Sequence, residues 1–358
     1  ISARVPSMIA MTSFSLQALS NGRFTLGLGA SGPQVVEGLH GVAYDSPLTR
    51  LRETVEIIRM GFQGEKLSYQ GKRHTLPRLG GEGKAMRLDF PPTKIPIFLA
   101  TLVPRSLEYT GASADGWLGT SFSPDHAETH LAHIRSGAER AGRSIKDIEL
   151  NVTCPVSIGE DVEGMIEARR AGVAFNMGAM GSATTNFYND AFRRAGFVND
   201  AEEIQSLWLA GKREEATRRV PDAMVTQFGA LGTSQMVSER FRLYRDVGID
   251  SLTLRLDADG MNAKLEMLEH IVDLLRLFAG EFDQQNGVRF ALNELFDNAP
   301  VDRDIAGQAD HRAVDQLARG WTQFDNALGR RHGFVESREM AHAQYFVAGR
   351  GAQLQGNA

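Results

Sequence analysis

The chain has 358 residues, of which 42% are hydrophobic and 23% are charged, and its formal net charge at pH 7 is −5. These values are typical of a globular protein and argue against a nucleic-acid or membrane-surface partner, since both need clustered positive charge. No apolar run approaches the roughly 20 residues of a membrane-spanning helix. The single cysteine, Cys154, excludes an internal disulfide, and we expect a cytoplasmic protein.

Helix and strand patterns alternate along the chain. Its first part predicts a helix at 6–19, a strand at 23–29, a helix at 49–62, a small hairpin at 67–74, a strand at 95–100, a helix at 104–112 and a strand at 115–119. Its second part predicts a helix at 125–141, a strand at 149–158, helices at 160–175, 201–219 and 234–247, a strand at 251–256 and a helix at 263–278. Five strands with short helical connections predict a parallel α/β fold with helices outside the sheet.

The glycine-rich segment after the first strand is the first candidate site. Gly29, Ala30, Ser31 and Gly32 form a loop of small residues with free backbone N–H groups, as is typical where a planar or anionic cofactor binds. The letters also match the dinucleotide fingerprint Gly27-x-Gly29-x-x-Gly32, which requires a helix to begin within the glycines. Because the next helix is predicted only at residues 49–62, the pattern disfavours a dinucleotide site. A glycine-rich strand end with a packing role is the other alternative.

Several segments together resemble one known family. They are Leu19-Ser-Asn-Gly-Arg-Phe-Thr-Leu-Gly-Leu-Gly29, Ser31-Gly-Pro-Gln-Val-Val-Glu-Gly38, Pro47-Leu-Thr-Arg-Leu-Arg-Glu-Thr-Val-Glu-Ile-Ile58, Ile95-Pro-Ile-Phe-Leu-Ala100, Ala114-Asp-Gly-Trp-Leu118, Met177-Gly-Ala-Met-Gly-Ser182, Asn186-Phe-Tyr188 and Val247-Gly-Ile-Asp250. In this order they resemble the bacterial-luciferase-like flavin and deazaflavin oxidoreductases, which are (β/α)8 barrels of the TIM type. The second segment, and the sixth and seventh together, indicate the branch that uses coenzyme F-420 rather than FMN.

The resemblance implies an organisation as well as a fold. Ile1 matches the loop after the family's third strand, so three βα units would be missing from the N-terminal side or supplied in permuted order by the C-terminal tail. Residues 1–279 would form the barrel body, with a helical insertion at 160–233, and residues 280–358 a mostly helical extension. Relatives commonly pair through barrel helices, and exposed apolar positions at 263–278 would permit a homodimer; the sequence leaves the oligomeric state open.

Further site residues follow from the barrel, whose chemistry lies at the carboxyl ends of the strands. The resemblance places the cofactor phosphate at the turn formed by Thr101, Leu102 and Val103, paired with Thr120 and Ser121 after the next strand; an ordinary N-capped turn is the alternative. We expect Ala30, Ser31 and Gly32 to lie against the flavin-like ring.

Three charged or titratable residues are further candidates. Glu37 and His40 follow the glycine loop and are candidates for relaying a proton, although a solvated loop carboxylate is an equal alternative. Arg255 lies on an apolar strand, where it would bind cofactor phosphate or carboxylates, or else pair with Asp257 or Asp259.

Two remaining features carry their own alternatives. Met177, Met180 and Phe187 predict either an apolar lid over the substrate or a buried methionine cluster. Cys154 is predicted to be a core residue, and no Cys or His pattern predicts a metal site.

The function implied is hydride transfer between reduced coenzyme F-420 and a small organic substrate. One alternative is an FMN-dependent monooxygenase of the same fold, and another is a cofactor-free, truncated barrel that acts as an interaction subunit. In the tail, residues 288–293 are predicted to be a strand that pairs in parallel with the strand at 251–256, so that Asn293 or Glu294 faces the ring. Helices are predicted at 310–328 and 336–346; an appended helical arm is the alternative.

Overall fold

The computed structural model describes residues 1–182, 184–277 and 289–292. Its strands are β1 (Leu26–Gly29), β2 (Tyr69–Gln70), β3 (Thr75–Leu76), β4 (Ile97–Ala100), β5 (Gly116–Gly119), β6 (Glu149–Ile158), β7 (Ala230–Gly232), β8 (Ser251–Leu256) and β9 (Arg289–Leu292). Its helices are α1 (Pro6–Leu19), α2 (Pro33–Gly38), α3 (Pro47–Phe62), α4 (Pro104–Ser113), α5 (Glu128–Arg140), α6 (Val162–Gly178), α7 (Phe187–Arg194), α8 (Val198–Leu209), α9 (Arg213–Arg219), α10 (Asp222–Thr226), α11 (Ser234–Asp246) and α12 (Gly260–Leu277).

Seven of the strands form one parallel sheet in the order β1, β4, β5, β6, β8 and β9. The seventh, β7, pairs with the far end of β6, where Val156 is opposite Ala230. A short antiparallel hairpin, β2–β3, stands apart. Strands alternate with helices, and the fold is α/β of the (β/α)8-barrel type, as predicted. Within the described residues the sheet runs from β1 to β9 without closing.

The sheet has two different faces. On the outer face, Leu28 and Leu99 pack against α1 and α3 in one core cluster, while Trp117 and Cys154 pack against α4, α5 and α11 in another. Cys154 is fully buried, which confirms its prediction as a core residue. Successive residues of a strand point to opposite faces, so the glycines, Ala100 and the polar residues between these positions form the inner face, together with Phe98 and Leu118.

Polar side chains on the inner face hold β6 and β8 in register. Asn151 is opposite Ser251, and its Nδ2 donates to Ser251 Oγ at 2.7 Å. Thr253 Oγ1 donates to Asn151 Oδ1 at 3.0 Å. All three residues are buried. A shift of one residue would move these groups into the apolar layer and leave them unsatisfied, so the network specifies the register.

The pairing predicted for the tail strand is confirmed. β9 pairs in parallel with β8, with Ser251 opposite Arg289 and Leu254 opposite Leu292. This is the place next to the last body strand where a permuted first strand would stand. Asn293, Glu294 and the helices predicted at 310–328 and 336–346 lie outside the described residues, so closure of the barrel by the tail stays a prediction.

Several sequence predictions were wrong. The count of five body strands missed β7, and the segment before residue 49 contains a short helix, α2, which begins at Pro33 because proline is well suited to the first helical position. The helix predicted at 201–219 is two helices, α8 and α9, separated at Gly211, whose φ is +80°. The apolar positions expected to be exposed on α12 include Leu268, Ile271 and Leu275, which are buried in the core.

Helices α6 to α10 lie between β6 and β7 and have a core cluster of their own. We call residues 162–226 the helical insertion. Asn186 holds its centre: its Oδ1 accepts the N–H groups of Tyr188 and Asn189, and its Nδ2 donates to Met177 O at 2.8 Å. This buried amide therefore ties the end of α6 to the start of α7.

Helices α4 and α5 cross at two glycines. A Cβ atom on Gly137 would lie 1.9 Å from the carbonyl oxygen of Glu108, and one on Gly111 would lie 1.9 Å from that of Ile134. Since backbone atoms occupy those positions, a side chain at either glycine forces the helices apart.

We predict that Gly137→Ala lowers the free energy of unfolding by about 1–3 kcal/mol, as overpacking does. Gly172→Ala is the matched control, because Gly172 is exposed within α6 and a Cβ atom there would meet no neighbouring group within 4 Å. That change should raise stability by about 0.5–1 kcal/mol. Urea unfolding measures both, and equal effects of the two substitutions would contradict the close crossing.

The hairpin β2–β3 is held by one buried carboxylate. Glu53 of α3 is 5% exposed, and its Oε1 accepts the Lys72 N–H at 2.7 Å. Its Oε2 accepts the N–H groups of Arg73 at 2.8 Å and His74 at 2.7 Å. Burial alone would raise the pKa of Glu53, but these donors outweigh it and hold the pKa below its ordinary value of 4.5.

Ionised Glu53 therefore stabilises the fold above pH 4.5, and this contribution is lost as the pH falls through the lower folded-state pKa. We predict that Glu53→Gln lowers stability at pH 7 by about 1–3 kcal/mol and makes acid unfolding less steep. Glu82→Gln, on an exposed loop, is the control. Urea unfolding between pH 7 and pH 3 checks this, and a Glu53→Gln curve parallel to that of the native protein would refute it.

Candidate functional site

The carboxyl ends of β1 and β4 form a surface of small residues. Gly29 is opposite Ala100, and a Cβ on Gly29 would lie 3.2 Å from the Ala100 Cβ. Ala100 is exposed, and Gly29 and Ala30 are half-buried. Because no large side chain rises from these positions, a flat group has room to lie against the backbone.

The turn after β4 begins at Thr101, one of the residues predicted to bind the cofactor phosphate. Thr101 is buried, and its Oγ1 lies 2.7 Å from Thr110 Oγ1 on α4. Thr110 donates its own hydrogen to Ser106 O at 3.0 Å, so Thr101 must donate to Thr110. The Thr101 carbonyl accepts the Trp117 Nε1–H at 2.9 Å. The Thr101 side chain therefore points into the helix layer, and its hydroxyl hydrogen is not available to a phosphate.

Backbone N–H groups at the same turn are available as hydrogen-bond donors to an anion. Leu102 and Val103 are half-buried, and Val103 precedes α4 without a side-chain cap. The first N–H groups of a helix have no partner within the helix, and Pro104, the first residue of α4, has none to offer. An anion at this turn would thus meet the N–H groups that flank Pro104.

Thr120 and Ser121 follow β5 at the neighbouring strand end. Both are half-buried, and their hydroxyls have no hydrogen-bond partner in the part of the chain that the structure describes. Ser121 has a φ of +49°, which is uncommon for a residue with a side chain. Such strain is concentrated at functional sites. Thr120 and Ser121 are therefore the side chains here that have free hydroxyl donors.

The loop after β1 is braced by Tyr44. Its hydroxyl donates to Ser31 O at 2.8 Å, and its N–H donates to Glu37 Oε1 at 2.9 Å. Ser31 is exposed with a φ of +61°, and Gly32 precedes α2. Glu37 and His40, the two proton-relay candidates, are both exposed.

The structure has a helix near the glycines, as the dinucleotide motif requires, but it lacks the rest of a dinucleotide site. α2 does begin within reach of the glycines, contrary to the sequence prediction, yet it has only six residues. The strand β1 is followed in the sheet by β4, after the long excursion through α3 and the hairpin. The dinucleotide motif needs an immediate crossover within a compact βαβ unit of about 30 residues, which this topology does not provide.

Arg255 lies on β8 opposite Pro155 and is exposed. Asp257, one of its predicted partners, accepts Arg169 Nη2 at 2.7 Å and Ser157 Oγ at 2.9 Å. Arg169 belongs to α6, so this ion pair attaches the helical insertion to the end of β8. The cofactor role of Arg255 stays a prediction.

The helical insertion also contacts the ends of β4 and β5. Arg194, the last residue of α7, donates from Nη2 to Leu102 O at 2.8 Å. The rings of Phe197 and His126 meet edge to face at 5.9 Å. Sequence reasoning missed Arg194, because its signal, a basic residue in the last turn of a helix, is common.

The residues predicted to form either an apolar lid or a buried methionine cluster differ in their burial. Met177 is fully buried in the core of the helical insertion, which supports the buried-cluster alternative for this residue. Met180 is 37% exposed and Phe187 is half-buried. In the described residues, no helix is long and apolar enough to cross a membrane, and no group of three or more His, Cys, Asp or Glu side chains is placed to hold a metal.

The two threonines allow a direct test of which one is structural. We predict that Thr101→Val lowers the free energy of unfolding by about 1 kcal/mol, because a buried hydrogen bond is lost. Thr120→Val should change it by less than about 0.5 kcal/mol, since its hydroxyl supports nothing inside the fold. Urea unfolding compares them, and a larger loss at Thr120 would contradict these assignments.

Comparison with known proteins agrees with the fold. A Mycobacterium tuberculosis protein assigned as a coenzyme F-420-dependent oxidoreductase is 33% identical over 263 residues, which are 71% of this chain and 76% of that protein. The 5,10-methylenetetrahydromethanopterin reductase of Archaeoglobus fulgidus is 28% identical over 249 residues, which are 68% of this chain and 70% of the reductase.

A solved structure shows the same fold. The coenzyme F-420-dependent tetrahydromethanopterin reductase of Methanopyrus kandleri aligns with a TM-score of 0.59 and 23% identity over 79% of this chain and 80% of that one. Residues 1–251 match the family model described as luciferase-like monooxygenase. The chain therefore belongs to the luciferase-like monooxygenase family.

Proposed function

We propose that this protein is an oxidoreductase that transfers a hydride between coenzyme F-420 and a small organic substrate. The observation that carries the proposal is the surface of small residues at the carboxyl ends of β1 and β4. It is formed by Gly29, Ala30 and Ala100, beside the turn after β4. Relatives named as F-420-dependent enzymes support the choice of cofactor.

The residues present fit such a cofactor. A flat ring system needs a surface without projecting side chains, and Gly29 together with Ala100 offers one. A phosphate needs hydrogen-bond donors, and the first turn of α4 with the hydroxyls of Thr120 and Ser121 offers these. The buried Nε of Arg194 has no partner among the described residues, and it lies close to the same turn.

The bound deazaflavin would supply the two-electron hydride chemistry, and the protein supplies binding, orientation and exclusion of water. Gly29 and Ala100 let the backbone of β1 and β4 approach a ring closely. Thr120 and Ser121 orient the phosphate end. The helical insertion covers the ends of β4 and β5 through Arg194 and Phe197, which keeps water from that side.

A proton accompanies the hydride, and Glu37 is our proposed carrier. The Tyr44 N–H holds its Oε1, which leaves Oε2 to exchange a proton with the substrate. His40, three residues further on, would pass that proton to solvent, since its ring is exposed. A cytoplasmic location and a homodimer remain predictions from the sequence.

Titration of the full chain with coenzyme F-420 and, separately, with FMN tests the proposal by the absorbance of bound cofactor. We expect F-420 to bind more tightly than FMN. Tighter binding of FMN would favour the monooxygenase alternative, and binding of neither would favour the cofactor-free one.

The phosphate contacts have a prediction of their own. Thr120→Val should weaken cofactor binding by about 1–3 kcal/mol, because a charge-assisted hydrogen bond is lost. Thr25→Val is the control, since Thr25 is an exposed threonine at the opposite end of β1. The dissociation constants of the two variants, measured by the same titration, check this; an unchanged value for Thr120→Val would remove Thr120 from the site.

A further inference from the structure

Leu118 is a large, half-buried apolar side chain that borders the surface of small residues. It follows Trp117 on β5, and Trp117 is buried in the outer core, so Leu118 points to the inner face. Leu99 is opposite Trp117, which places Leu118 in the same row as Ala100 and Gly29. Across this row the inner face is therefore small at β1 and β4 and becomes large and apolar at β5.

The side chain of Leu118 extends across the neighbouring strand. A Cβ atom on Gly27 would lie 3.0 Å from Leu118 Cδ1, although β4 lies between β1 and β5 in the sheet. Two strand spacings are about 10 Å. Leu118 therefore leans over the inner face towards β1, and the absence of a side chain at Gly27 leaves room for it.

Phe98 fills the space next to Leu118. Phe98 is opposite both Gly27 and Gly116, in the row that lies two residues before the surface of small residues along each strand. A Cβ atom on Gly116 would lie 2.5 Å from three atoms of the Phe98 ring, so the ring lies directly on the backbone of β5. Leu118 and Phe98 together fill the inner face immediately below the surface of small residues.

This filled layer is apolar, and the polar side chains beside it already bond to one another. Leu118 is opposite Asn151 of β6, whose side-chain amide bonds to Ser251 and Thr253. Leu118 and Phe98 have no hydrogen-bonding groups in their side chains, and a polar group buried against them would lose its bonds to water without replacement. A ligand edge that contacts this layer favourably is therefore uncharged and hydrocarbon in character.

The position of Leu118 along β5 relates this layer to the candidate phosphate site. Thr120 is two residues beyond Leu118, about 7 Å in an extended chain. A ligand whose phosphate binds Thr120 would have its adjoining ring on Gly29 and Ala100 and beside Leu118.

We propose that Leu118 determines how deeply a planar ring enters the inner face and which rings fit there. Its side chain, supported by Phe98, contacts the leading edge of the ring. The ligand class is a flat chromophore whose leading edge is uncharged and carries no bulky substituent. The identity of that chromophore as a deazaflavin rests on the proposed function; the apolar contact surface on the inner face does not.

Cysteine labelling tests this surface without any assumption about the cofactor. The native chain has one cysteine, Cys154, which is fully buried, and burial raises the pKa of its thiol to about 11. Because Cys154 is therefore inert to thiol reagents, Leu118→Cys introduces a single reactive group. Leu79→Cys, at a position that is 74% exposed, and Leu150→Cys, at one that is 4% exposed, are the controls.

We expect methyl methanethiosulfonate to modify Leu118→Cys at least roughly 10-fold faster than Leu150→Cys, because the inner face is accessible. Saturating cofactor should slow the reaction of Leu118→Cys by a similar factor and leave that of Leu79→Cys unchanged. Equal rates for Leu118→Cys and Leu150→Cys would overturn the accessible surface. Labelling of Leu118→Cys that bound cofactor does not slow would overturn the contact with the ring.

The size of the side chain tests which rings fit. The ligands are the F-420 chromophore and its N3-methyl and 8-methoxy derivatives, which are longer at opposite ends of the ring. Leu118→Ala shortens the contacting side chain, and Leu118→Phe enlarges it. Leu131→Ala is the matched control, since Leu131 is 2% exposed in the outer core. Unfolding curves establish that each variant is folded.

We expect Leu118→Ala to bind one of the two longer derivatives roughly 10-fold more tightly than the native protein does, with little change for the parent chromophore. Leu118→Phe should weaken the binding of all three, because the added ring occupies the same space. Leu131→Ala should leave the ratios of the three dissociation constants unchanged. An equal effect of Leu118→Ala on all three ligands, or the same change of ratios in Leu131→Ala, would overturn the selection of rings by Leu118.

Failure of the proposed function is distinguishable from failure of this inference. If the chain binds no chromophore, the proposed function fails, and Leu118→Cys is labelled with the flat N-phenylmaleimide and the bulky N-tert-butylmaleimide. A preference for the flat reagent, relative to Leu79→Cys, supports a site for a planar ligand, and no preference overturns it. If a chromophore binds but is insensitive to every change at Leu118, the proposed function stands and this inference fails.

Discussion

The alternation of side chains along the parallel strands determines which face of the sheet is core and which is site. Leu26 and Leu28 of β1 are buried against α1 and α3, whereas Gly27 between them is exposed. Burial of a leucine contributes roughly 1.5–3 kcal/mol, so the register of each strand follows its apolar residues. The small residues are thereby brought together on the inner face, and the strand ends form one continuous edge where backbone is accessible.

The same alternation explains why the two candidate threonines differ. Thr101 is two residues beyond Leu99, which is buried in the outer layer, so its hydroxyl is directed to Thr110 on α4. Thr120 is two residues beyond Leu118, on the inner side of β5, and its hydroxyl has no partner among the described residues. The strand ends were identified correctly from the sequence. The threonines were chosen by residue type, however, without asking which face of the sheet each one occupies. Counting from Leu99 and Trp117, which are buried in the outer layer, separates the two, because Thr101 is two residues beyond Leu99 and Thr120 is three beyond Trp117.

How far the sequence predicts each helix or strand depends on the length of its apolar pattern and on how clearly Gly, Pro or polar residues mark its ends. The helix at 6–19 and the strands at 149–158 and 251–256 have the predicted ends because each is long or is bounded by Gly, Pro or polar residues. Ala230–Gly232 has three residues and no periodicity of its own. It is a strand because β6 extends far enough for Val156 to pair with Ala230. The contact of Arg194 with Leu102 likewise depends on the folded insertion, and no local pattern encodes it.

The position of β9 is informative because a barrel depends on which strands are neighbours and not on their order in the chain. Strand β8 would otherwise present unpaired N–H and C=O groups along its edge, which proteins normally protect. In a closed barrel the last strand is hydrogen-bonded to the first, and here the strand beside β8 comes from further along the chain. Parallel pairing over Arg289–Leu292 satisfies that neighbour relation with the polarity that a barrel requires. The pairing of β9 with β8 therefore conflicts with no hydrogen-bonding constraint of a permuted barrel, and closure of the ring by the sequence beyond β9 stays a prediction.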